Sequence, residues 1–440
     1  MAHAWGREAQ ARGHAVTVLA RSPARSDDEV DFELIEEPFE DLRVLRMVNR
    51  LELGRLAESY RQPRAEEAFA RFLDAEDFDL VHFQHLIHTS VGLVDVARSR
   101  GLATVVTCHD YWGLCARVQL IRPDGERCPT NMGSGCYACV KESGLDGVPL
   151  AARLDRAGSG PLLGLARSTC EDPRATATAR RRGAEYLDLR AREEVVPAAY
   201  AACDLRISPS RFLRDVYLRT GRFDPDTFLF SDNGMRTDHV HALAKEPDPQ
   251  GRVRFGFVGS LVWYKGGEVL VRAMRRLAGR PVVLNVHGDF RPAEDEHHAA
   301  LAELARDAPV AFHGRFDNQR LSEVYAGIDV LVVPSTWYEN SPITIHEAFL
   351  TRTPVLASDI GGMAEFVRDG VDGLHFRVGD DADLASKMRR FVDEGDLLER
   401  LSRDFPPVKT IAENAEELEF RYRGLCCRVR EPGAGRGAGA

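Results

Sequence analysis

The chain has 440 residues, of which 44% are hydrophobic and 29% are charged, and its formal net charge is −10. This composition is typical of a globular protein long enough for two domains. The acidic balance argues against a dedicated nucleic-acid-binding protein. No apolar run approaches the roughly 20 residues of a membrane span, and the N-terminus does not resemble a signal peptide. Nine cysteines without an export signal suggest a reducing compartment, so we expect a cytoplasmic protein.

Apolar, strand-like runs alternate with helical patterns along the whole chain, which favours parallel α/β layers. The strand candidates of the first half are 15–20, 79–83, 103–109 and 204–208. Those of the second half are 253–259, 281–288, 310–314, 329–335, 353–358 and 375–380. Helical patterns between them include 267–279 and 321–328. The predicted architecture is α/β, with two doubly wound, Rossmann-like domains that face each other across a cleft.

The domain boundaries follow from turn signals and composition. Residues 1–230 are predicted as the first domain and residues 253–405 as the second. An Asn-Gly pair and repeated prolines between the two sets of strands predict a linker at 231–252. A last helix is expected at 406–426, and the Gly-rich end at 427–440 is expected to be a disordered tail.

The beginning of the chain departs from this scheme. It reads as the end of a helix, a Gly-His turn and then a strand. A doubly wound sheet normally has another strand and a Gly-rich turn before such a helix. Two explanations are open: the natural start lies further upstream, or the chain lacks a central strand. The otherwise intact pattern of the first half favours the upstream start.

A functional site is predicted where WYENSPITIHEAFL follows the buried run 329–335. Asn340, Ser341 and Pro342 fit a helix start, whose backbone N–H groups and dipole favour a phosphate. Glu339 precedes the helix, and Glu347 lies about one turn inside it. Carboxylates accept hydrogen bonds from sugar hydroxyls, so the pattern indicates an anion flanked by sugars. The alternative is that Glu339 caps the helix and Glu347 is solvated.

Two further turns between a strand and a helix also fit an anion-binding site. Lys265 follows a strand and precedes a Gly pair at a helix entrance, where an ammonium group can neutralise a diphosphate. The Gly pair in DIGGMAEFV, 359–367, allows a close approach of the backbone. Each has a simpler interpretation, as a solvated lysine and as ordinary turn geometry.

The second half as a whole resembles the donor domain of the retaining glycosyltransferases of family 4, which have the GT-B fold. The resemblance is carried by FVGSLVWYKGGEVL, by the strand DVLVVPS, by the two glutamates spaced E-x7-E and by the Gly-Gly turn, in this order. The segments ARGHAVTVLA, DFDLVHFQH and TVVTCHDYWGLC resemble the acceptor domain of the same family. The similarity covers nearly the whole chain apart from 141–195 and the tail.

The resemblance implies a role for each matching residue. Glu339 would hold donor-sugar hydroxyls, Glu347 the nucleotide ribose, and Lys265 the diphosphate. His109 would touch the donor sugar near the reacting carbon, or else be a satisfied histidine at a strand end. The remaining donor-binding positions are Gly259, Ser260, Arg315, Phe316, Asn340, Ser341, Pro342 and Ile343. Ser260 departs from the family, where many members have an arginine, and His82 and His85 are interpreted as structural.

The implied reaction transfers a sugar from a nucleoside diphosphate sugar to an acceptor hydroxyl with retention of configuration, as a hexosyltransferase-like enzyme. The resemblance implies front-face attack, so no protein nucleophile is assigned and no cofactor is required for catalysis. Asp-x-Asp triplets at 77–79, 224–226 and 381–383 are interpreted as turns, not as metal ligands. Two other classes stay open: an epimerase or phosphorylase on a similar scaffold, and a truncated homologue that binds nucleotide sugar without catalysis.

Four cysteines form a local cluster. Cys115, Cys128, Cys136 and Cys139 lie close in sequence, and the last two have the C-x2-C spacing of a zinc knuckle. A structural zinc on the acceptor side and free thiols or a disulfide are both open. The other cysteines are interpreted as small apolar side chains.

The acceptor is the least defined part of the prediction. An acceptor sugar, a lipid-linked sugar or a small molecule would fit, in polysaccharide biosynthesis of the cell envelope, in glycolipid synthesis or in secondary-metabolite glycosylation. The Arg-rich run 174–194 could touch anionic lipid headgroups at the inner face of the membrane or form a solvated helical face. No nucleic-acid partner is expected.

Overall fold

The computed structural model describes residues 2–50, 53–122, 125–128, 135–141 and 160–430. The chain folds into two compact units. The first unit comprises residues 1–209, 213–231 and 412–440, and the second comprises 210–212 and 232–411. The expected disordered tail lies outside the described residues from 431 onwards, whereas 427–430 are helical. Among the described residues, no helix has both the length and the apolar character needed to cross a bilayer.

The first unit contains two sheets. One has three strands in the order β1-β3-β2, with bounds β1 Thr17–Ser22, β2 Leu34–Glu36 and β3 Arg43–Val48. The other has four parallel strands in sequence order, β4 Leu80–Phe83, β5 Ala103–Thr107, β6 Leu205–Ser208 and β7 Phe228–Phe230. The described residues contain no strand that joins β1 to β4. The strands of the first unit therefore form two separate sheets among the described residues.

Helices surround these sheets. Their bounds are α1 Ala2–Ala11, α2 Pro63–Asp74, α3 Gly92–Ser99, α4 Gly135–Lys141, α5 Gly160–Glu171, α6 Ala177–Ala202 and α7 Arg211–Leu218. The last helix, α15 Ile411–Arg430, begins later than predicted because prolines at 406 and 407 disfavour helix. Leu418 and Leu425 of α15 pack against Val105 and Ile207 in one apolar cluster. The C-terminal helix is thus part of the first unit's core.

The second unit is built on one parallel sheet. Its six strands have the order β10-β9-β8-β11-β12-β13. Their bounds are β8 Val253–Val258, β9 Val282–His287, β10 Val310–Gly314, β11 Val330–Val333, β12 Val355–Ser358 and β13 Gly373–Phe376. The strand order changes direction between β8 and β11, so these two strands flank a topological switch point.

Helices cover both faces of this sheet. One apolar cluster includes Leu270, Leu301 and Leu384, from α8 Gly267–Arg276, α9 Glu296–Ala305 and α13 Asp381–Asp393. The opposite cluster includes Tyr325, Ile345 and Met363, from α10 Leu321–Ala326, α11 Ile343–Leu350 and α12 Gly361–Phe366. A short helix, α14 Leu397–Leu401, precedes the return to the first unit. The central strands β11 and β12 are buried along their whole length, which gives the continuous apolar runs seen in the sequence.

The segment with linker signals is more structured than predicted. Phe228–Phe230, directly before the predicted linker, forms strand β7, because Phe228 is buried and the strand pairs with β6. Residues 232–252 pack on the second unit, where Val240 is buried. Lys245 Nζ donates to the carbonyl oxygen of Ile328 at 2.6 Å and to Thr353 Oγ1 at 2.7 Å. Strands β2 and β3 were not predicted either.

Candidate functional site

The candidate site lies at the carboxyl ends of β8 and β11 in the second unit. The chain leaves β8 through Gly259 and Ser260 and reaches Lys265 in a short 3₁₀ turn. It leaves β11 at Pro334 and reaches Glu339 five residues later. Since β8 and β11 are paired neighbours, both loops emerge at the switch point of the sheet. Ligands of open α/β sheets bind at this position.

The turn that carries Lys265 packs closely against the end of β11. Gly266 has φ +75°, and a Cβ at this residue would overlap the carbonyl oxygen of Pro334. The amide of Thr336 donates to the carbonyl oxygen of Tyr264 at 2.9 Å. Glycine is therefore required twice here, for its left-handed backbone and for its small size. The consequence is that Lys265 is held beside the loop that carries Glu339.

Three side chains donate to a single oxygen of Glu339. Lys265 Nζ lies 2.5 Å from Oε1, Ser335 Oγ lies 2.7 Å and Trp337 Nε1 lies 2.8 Å from the same atom. Only 6% of Glu339 is exposed. The ammonium of Lys265 also lies 5.7 Å from the ring centroid of Trp337. A buried carboxylate with this many donors is held in one orientation, so it presents its second oxygen from a fixed position.

The helix start after Glu339 has the predicted form. Pro342, with φ −67°, caps α11, and Ile343 is its first helical residue. Ser341 Oγ donates to Asp232 Oδ1 at 2.9 Å and lies 2.9 Å from His346 Nε2. Burial lowers the pKa of His346, while the nearby Asp232 carboxylate opposes this shift. The Asp232–Ser341–His346 network fixes the first turn of the helix from both sides.

The Gly-Gly turn supports the same loop. The amide of Gly362 donates to the carbonyl oxygen of Glu339 at 2.7 Å. A Cβ on Gly362 would overlap the carbonyl oxygen of Asn340. Asn340 is buried and accepts a hydrogen bond from Ser210 Oγ at 2.5 Å. The close backbone approach predicted for this turn is therefore made to the protein's own chain at 339–340.

Glu347 lies on the buried side of α11. Tyr325 Oη donates to Glu347 Oε2 at 3.1 Å and also lies 3.1 Å from the carbonyl oxygen of Thr344. Burial raises the pKa of the Glu347 carboxyl, and the hydrogen bond from Tyr325 opposes this shift. The alternative that Glu347 is a solvated surface group is wrong, because the side chain is partly buried and has a specific partner.

The predicted nucleobase residues, Arg315 and Phe316, directly follow β10. The Arg315 guanidinium is exposed and donates to Asp289 Oδ2 at 2.7 Å. Phe316 packs on the apolar cluster below it, with its ring edge-on to His287 at 6.0 Å. The ring of His287 is stacked on that of His313 at 4.6 Å. Burial lowers the pKa of His287 to about 4, so this stacked pair is not doubly charged near neutrality.

His109 lies in the first unit, directly after β5. Its Nε2 lies 2.8 Å from Gln84 Oε1, and Gln84 follows the neighbouring strand β4. Burial lowers the pKa of His109 to about 4, against the raising effect of Asp110. His85 Nε2 lies 3.1 Å from Asp110 Oδ2. The sequence did not single out Gln84, since an isolated glutamine after a strand has no pattern of its own.

The cysteine cluster does not form a metal site among the described residues. No group of three or more His, Cys, Asp or Glu side chains suited to a metal ion is found in the described ranges. Burial raises the pKa of the Cys115 thiol. The zinc interpretation therefore has no structural support among the described residues, and free thiols or a disulfide stay a prediction for this cluster.

Two of the Asp-x-Asp triplets make hydrogen bonds to nearby backbone amides. Asp224 caps the 3₁₀ turn Pro225–Thr227 by accepting from the Asp226 amide. Asp383 Oδ2 accepts from the Arg377 amide at 2.8 Å beside the start of α13. Both contacts are those of the turns that were predicted at these positions.

The Arg-rich run 174–194 is only partly a solvated face. Thr176 caps α6, and residues 180–182 at its beginning are exposed arginines. Further along, Arg192 is buried, its guanidinium lies 5.0 Å from the Trp112 ring centroid, and it donates to the Trp112 carbonyl oxygen. The amphipathic interpretation missed this residue, because an arginine counts as polar even where its side chain packs on an aromatic ring.

Two protein families match the chain. Residues 252–394 match the family model described as glycosyl transferases group 1, and residues 1–127 match the model described as glycosyltransferase family 4. These matches cover the candidate site of the second unit and the His109 region of the first.

Curated relatives and a solved structure agree with these matches. A D-inositol 3-phosphate glycosyltransferase of Nocardia farcinica is 34% identical over 172 residues, 37% of this chain and 38% of that protein. An alpha-maltose-1-phosphate synthase of Mycolicibacterium smegmatis is 31% identical over 218 residues, 45% of this chain and 56% of that protein. Each alignment thus spans less than two thirds of the relative. Sucrose-phosphate synthase from Thermosynechococcus elongatus superposes with a TM-score of 0.60 at 19% identity, covering 98% of this chain and 90% of that one.

Proposed function

Since this chain belongs to the family 4 glycosyltransferases and shares the GT-B fold, we propose that it transfers a sugar from a nucleoside diphosphate sugar to an acceptor hydroxyl with retention of anomeric configuration. The proposal is carried by one observation: Lys265 and Glu339 meet at the switch point of the donor sheet, beside the start of α11. A cation, helix N–H groups and an oriented carboxylate at one place suit a diphosphate joined to a sugar.

In this proposal each group meets one part of the donor. The Lys265 ammonium and the first amides of α11 stabilise the negative charge that develops on the departing diphosphate. Glu339, oriented by Ser335 and Trp337, accepts hydrogen bonds from donor-sugar hydroxyls. Glu347 accepts from the ribose, and Arg315 and Phe316 line the nucleobase side. His109 orients the donor sugar near the reacting carbon.

The acceptor and the cellular location are part of the proposal. The relatives include D-inositol 3-phosphate glycosyltransferases, which makes inositol 3-phosphate a first acceptor to test. Lipid-linked sugars and cell-envelope precursors are the further class, with the exposed arginines at 180–182 able to meet their phosphates at the inner face of the membrane. The reaction would take place in the cytoplasm, where nucleotide sugars are made.

The test is a donor-by-acceptor screen with the full chain. UDP-, ADP-, GDP- and TDP-sugars are incubated with inositol 3-phosphate, simple glycosides and cell-envelope extracts, and both nucleotide release and the glycosylated product are measured. Nuclear magnetic resonance of the product gives the anomeric configuration. We expect one donor to support transfer with the donor's own configuration retained.

Other outcomes separate the alternatives. Donor binding in calorimetry without transfer or hydrolysis would indicate a non-catalytic nucleotide-sugar-binding protein. An inverted product would contradict retention. Conversion of one nucleotide sugar into its epimer without an acceptor would replace transfer by epimerisation.

A further inference from the structure

A chain of polar contacts joins the last helix of the first unit to His109. Tyr422 Oη of α15 lies 2.6 Å from His82 Nδ1. His82 Nε2 lies 2.7 Å from Thr107 Oγ1 on the neighbouring strand. The amide nitrogen of Gln84 lies 3.2 Å from both ring nitrogens of His82, and its amide oxygen lies 2.8 Å from His109 Nε2. The chain of contacts runs across the carboxyl ends of β4 and β5.

We propose that Gln84 is a positioning residue that holds His109 as a neutral imidazole with its proton on Nε2. An amide oxygen only accepts hydrogen bonds, so the His109 nitrogen that faces it must be the donor. A neutral imidazole with Nε2 protonated carries its lone pair on Nδ1. The inference rests on the proposed function for the role of His109, but the tautomer itself is a property of this chain.

His82 sets the direction of the Gln84 amide. Burial lowers the pKa of His82 to about 3, so its ring is neutral and carries one proton. Its two ring nitrogens face the hydroxyls of Tyr422 and Thr107, so the Gln84 amide nitrogen, 3.2 Å from both of them, lies over the ring face, where an N–H group is favoured over a carbonyl oxygen. Trp5 packs edge-on against the rings of His82 and Tyr422 at 6.1 and 5.6 Å, which keeps water out of this junction. With its nitrogen end held by His82, Gln84 turns its oxygen to His109.

Because the Gln84 amide is uncharged, it does not favour the protonated form of His109. A carboxylate at position 84 would favour imidazolium, as in proteins where an acid orients a histidine. The amide gives direction without charge. Among the ionisable neighbours, Asp110 raises the His109 pKa, whereas His85 lowers it. His109 therefore acts as a neutral hydrogen-bonding group toward the donor sugar, which favours the orienting role over stabilisation of positive charge.

The experiment reads the tautomer directly. The full chain is labelled with ¹⁵N-histidine, and two-bond ¹H–¹⁵N correlation spectra assign the protonated nitrogen, with His109→Asn identifying the His109 signals. We expect protonated Nε2 in the unaltered protein and a mixed or reversed tautomer in Gln84→Leu. A His109 protonated on Nδ1, or an unchanged signal in Gln84→Leu, would overturn the proposal.

Gln84→Glu serves as the conservative variant. It keeps the acceptor and the size of the side chain, so the Nε2–H tautomer should persist, while the added charge should raise the His109 pKa by one or more units in an NMR titration. Gln10→Leu is the matched control, since Gln10 is exposed and belongs to the same unit. Within the described residues, its side chain donates one hydrogen bond, to the Asp41 carbonyl oxygen. It should change neither the tautomer nor the titration.

Kinetics then separate this inference from the proposed function. Where transfer is measurable, Gln84→Leu should lower kcat about 10- to 100-fold with the donor KM nearly unchanged, as expected for lost orientation. Gln84→Glu should recover activity at a pH above the raised His109 pKa. If Gln84→Leu shifts the tautomer but the unaltered protein transfers no sugar, Gln84 still positions His109 and only the proposed function is refuted. If Gln84→Leu shifts the tautomer but keeps a normal kcat, the tautomer of His109 does not matter for catalysis.

Discussion

Lys265 and Glu339 are 74 residues apart in sequence, yet the ammonium of one donates to the carboxylate of the other at 2.5 Å. Their loops follow the two strands that flank the switch point. The pair neutralises charge within the site, so in the proposed function a diphosphate would compete with Glu339 for the lysine. Because Ser335 and Trp337 also donate to the same oxygen of Glu339, the carboxylate stays partnered when Lys265 turns to a phosphate.

Removal of the Lys265 ammonium should weaken diphosphate binding selectively. A hydrogen bond to a charged group contributes about 1.5–3 kcal/mol, so Lys265→Ala should lower the affinity for UDP or ADP about 10- to 100-fold. Binding of uridine or adenosine should change by less than about threefold. Calorimetry with each nucleoside and its diphosphate measures both values.

Lys387→Ala is the control for this change. Lys387 is a partly exposed lysine of α13 in the same unit, so its removal tests the effect of lost charge as such. It should leave both affinities unchanged. Equal losses for nucleoside and diphosphate in Lys265→Ala would exclude a phosphate role for Lys265.

Neutralisation of Glu339 should affect turnover more than folding. Glu339→Gln keeps an oxygen for its three donors but loses the ion pair with Lys265, which should lower sugar transfer about 100-fold. The thermal midpoint should fall by only a few degrees, because two neutral donors remain. Steady-state kinetics and thermal melts give the two numbers, and unaltered turnover would remove Glu339 from the mechanism.

The partly buried Glu347 carboxyl should make stability depend on pH. Its pKa in the folded protein is raised above the ordinary value of 4.5 by burial. The folded state therefore keeps this proton at pH values where the unfolded state has lost it, and the unfolding free energy falls as the pH rises from about 4.5 through the folded pKa. Glu347→Gln should raise the thermal midpoint by about 2 °C at pH 7, with the gain disappearing below pH 4.5. No gain at pH 7 would contradict the burial penalty.

The same substitution should relax recognition of ribose. If Glu347 accepts from a ribose hydroxyl, the unaltered protein prefers UDP or ADP to the 2′-deoxy form. Glu347→Gln replaces a charged acceptor by a neutral one, so this preference should shrink about tenfold. Parallel titrations of the ribo- and deoxyribonucleotides measure the ratio. A ratio equal to that of the unaltered protein would place the ribose elsewhere.

The Gly-Gly turn offers a steric test of the site loop. In Gly362→Ala the new Cβ would overlap the Asn340 carbonyl oxygen, so the backbone at 339–340 must move. We expect a loss of about 1–3 kcal/mol in unfolding free energy, together with reduced donor affinity. Gly395→Ala is the matched control because no heavy atom lies within 4 Å of its added Cβ. Denaturant unfolding and calorimetry of the two variants should differ clearly; similar behaviour would mean that the loop yields without cost.

The sequence by itself determined the strands of the second unit and the residues that follow them. Apolar runs such as DVLVVPS are buried on both faces, so composition alone marks them, and the helix start after Glu339 carries its own capping and proline signals. The same local signals did not predict the short strand Phe228–Phe230, because turn residues lie next to it. They also did not predict that the mostly polar segment 232–252 packs on the second unit through a few buried residues.

Only the tertiary structure decided the partnerships. The three donors on Glu339, the hydroxyl of Tyr325 at Glu347 and the amide of Gln84 at His109 all depend on which strand ends become neighbours. Periodicity and turn chemistry act over a few residues, whereas strand order is set by packing of the whole sheet. Residue types therefore indicated which strand ends carry the candidate site, and the fold determined which side chains orient one another there.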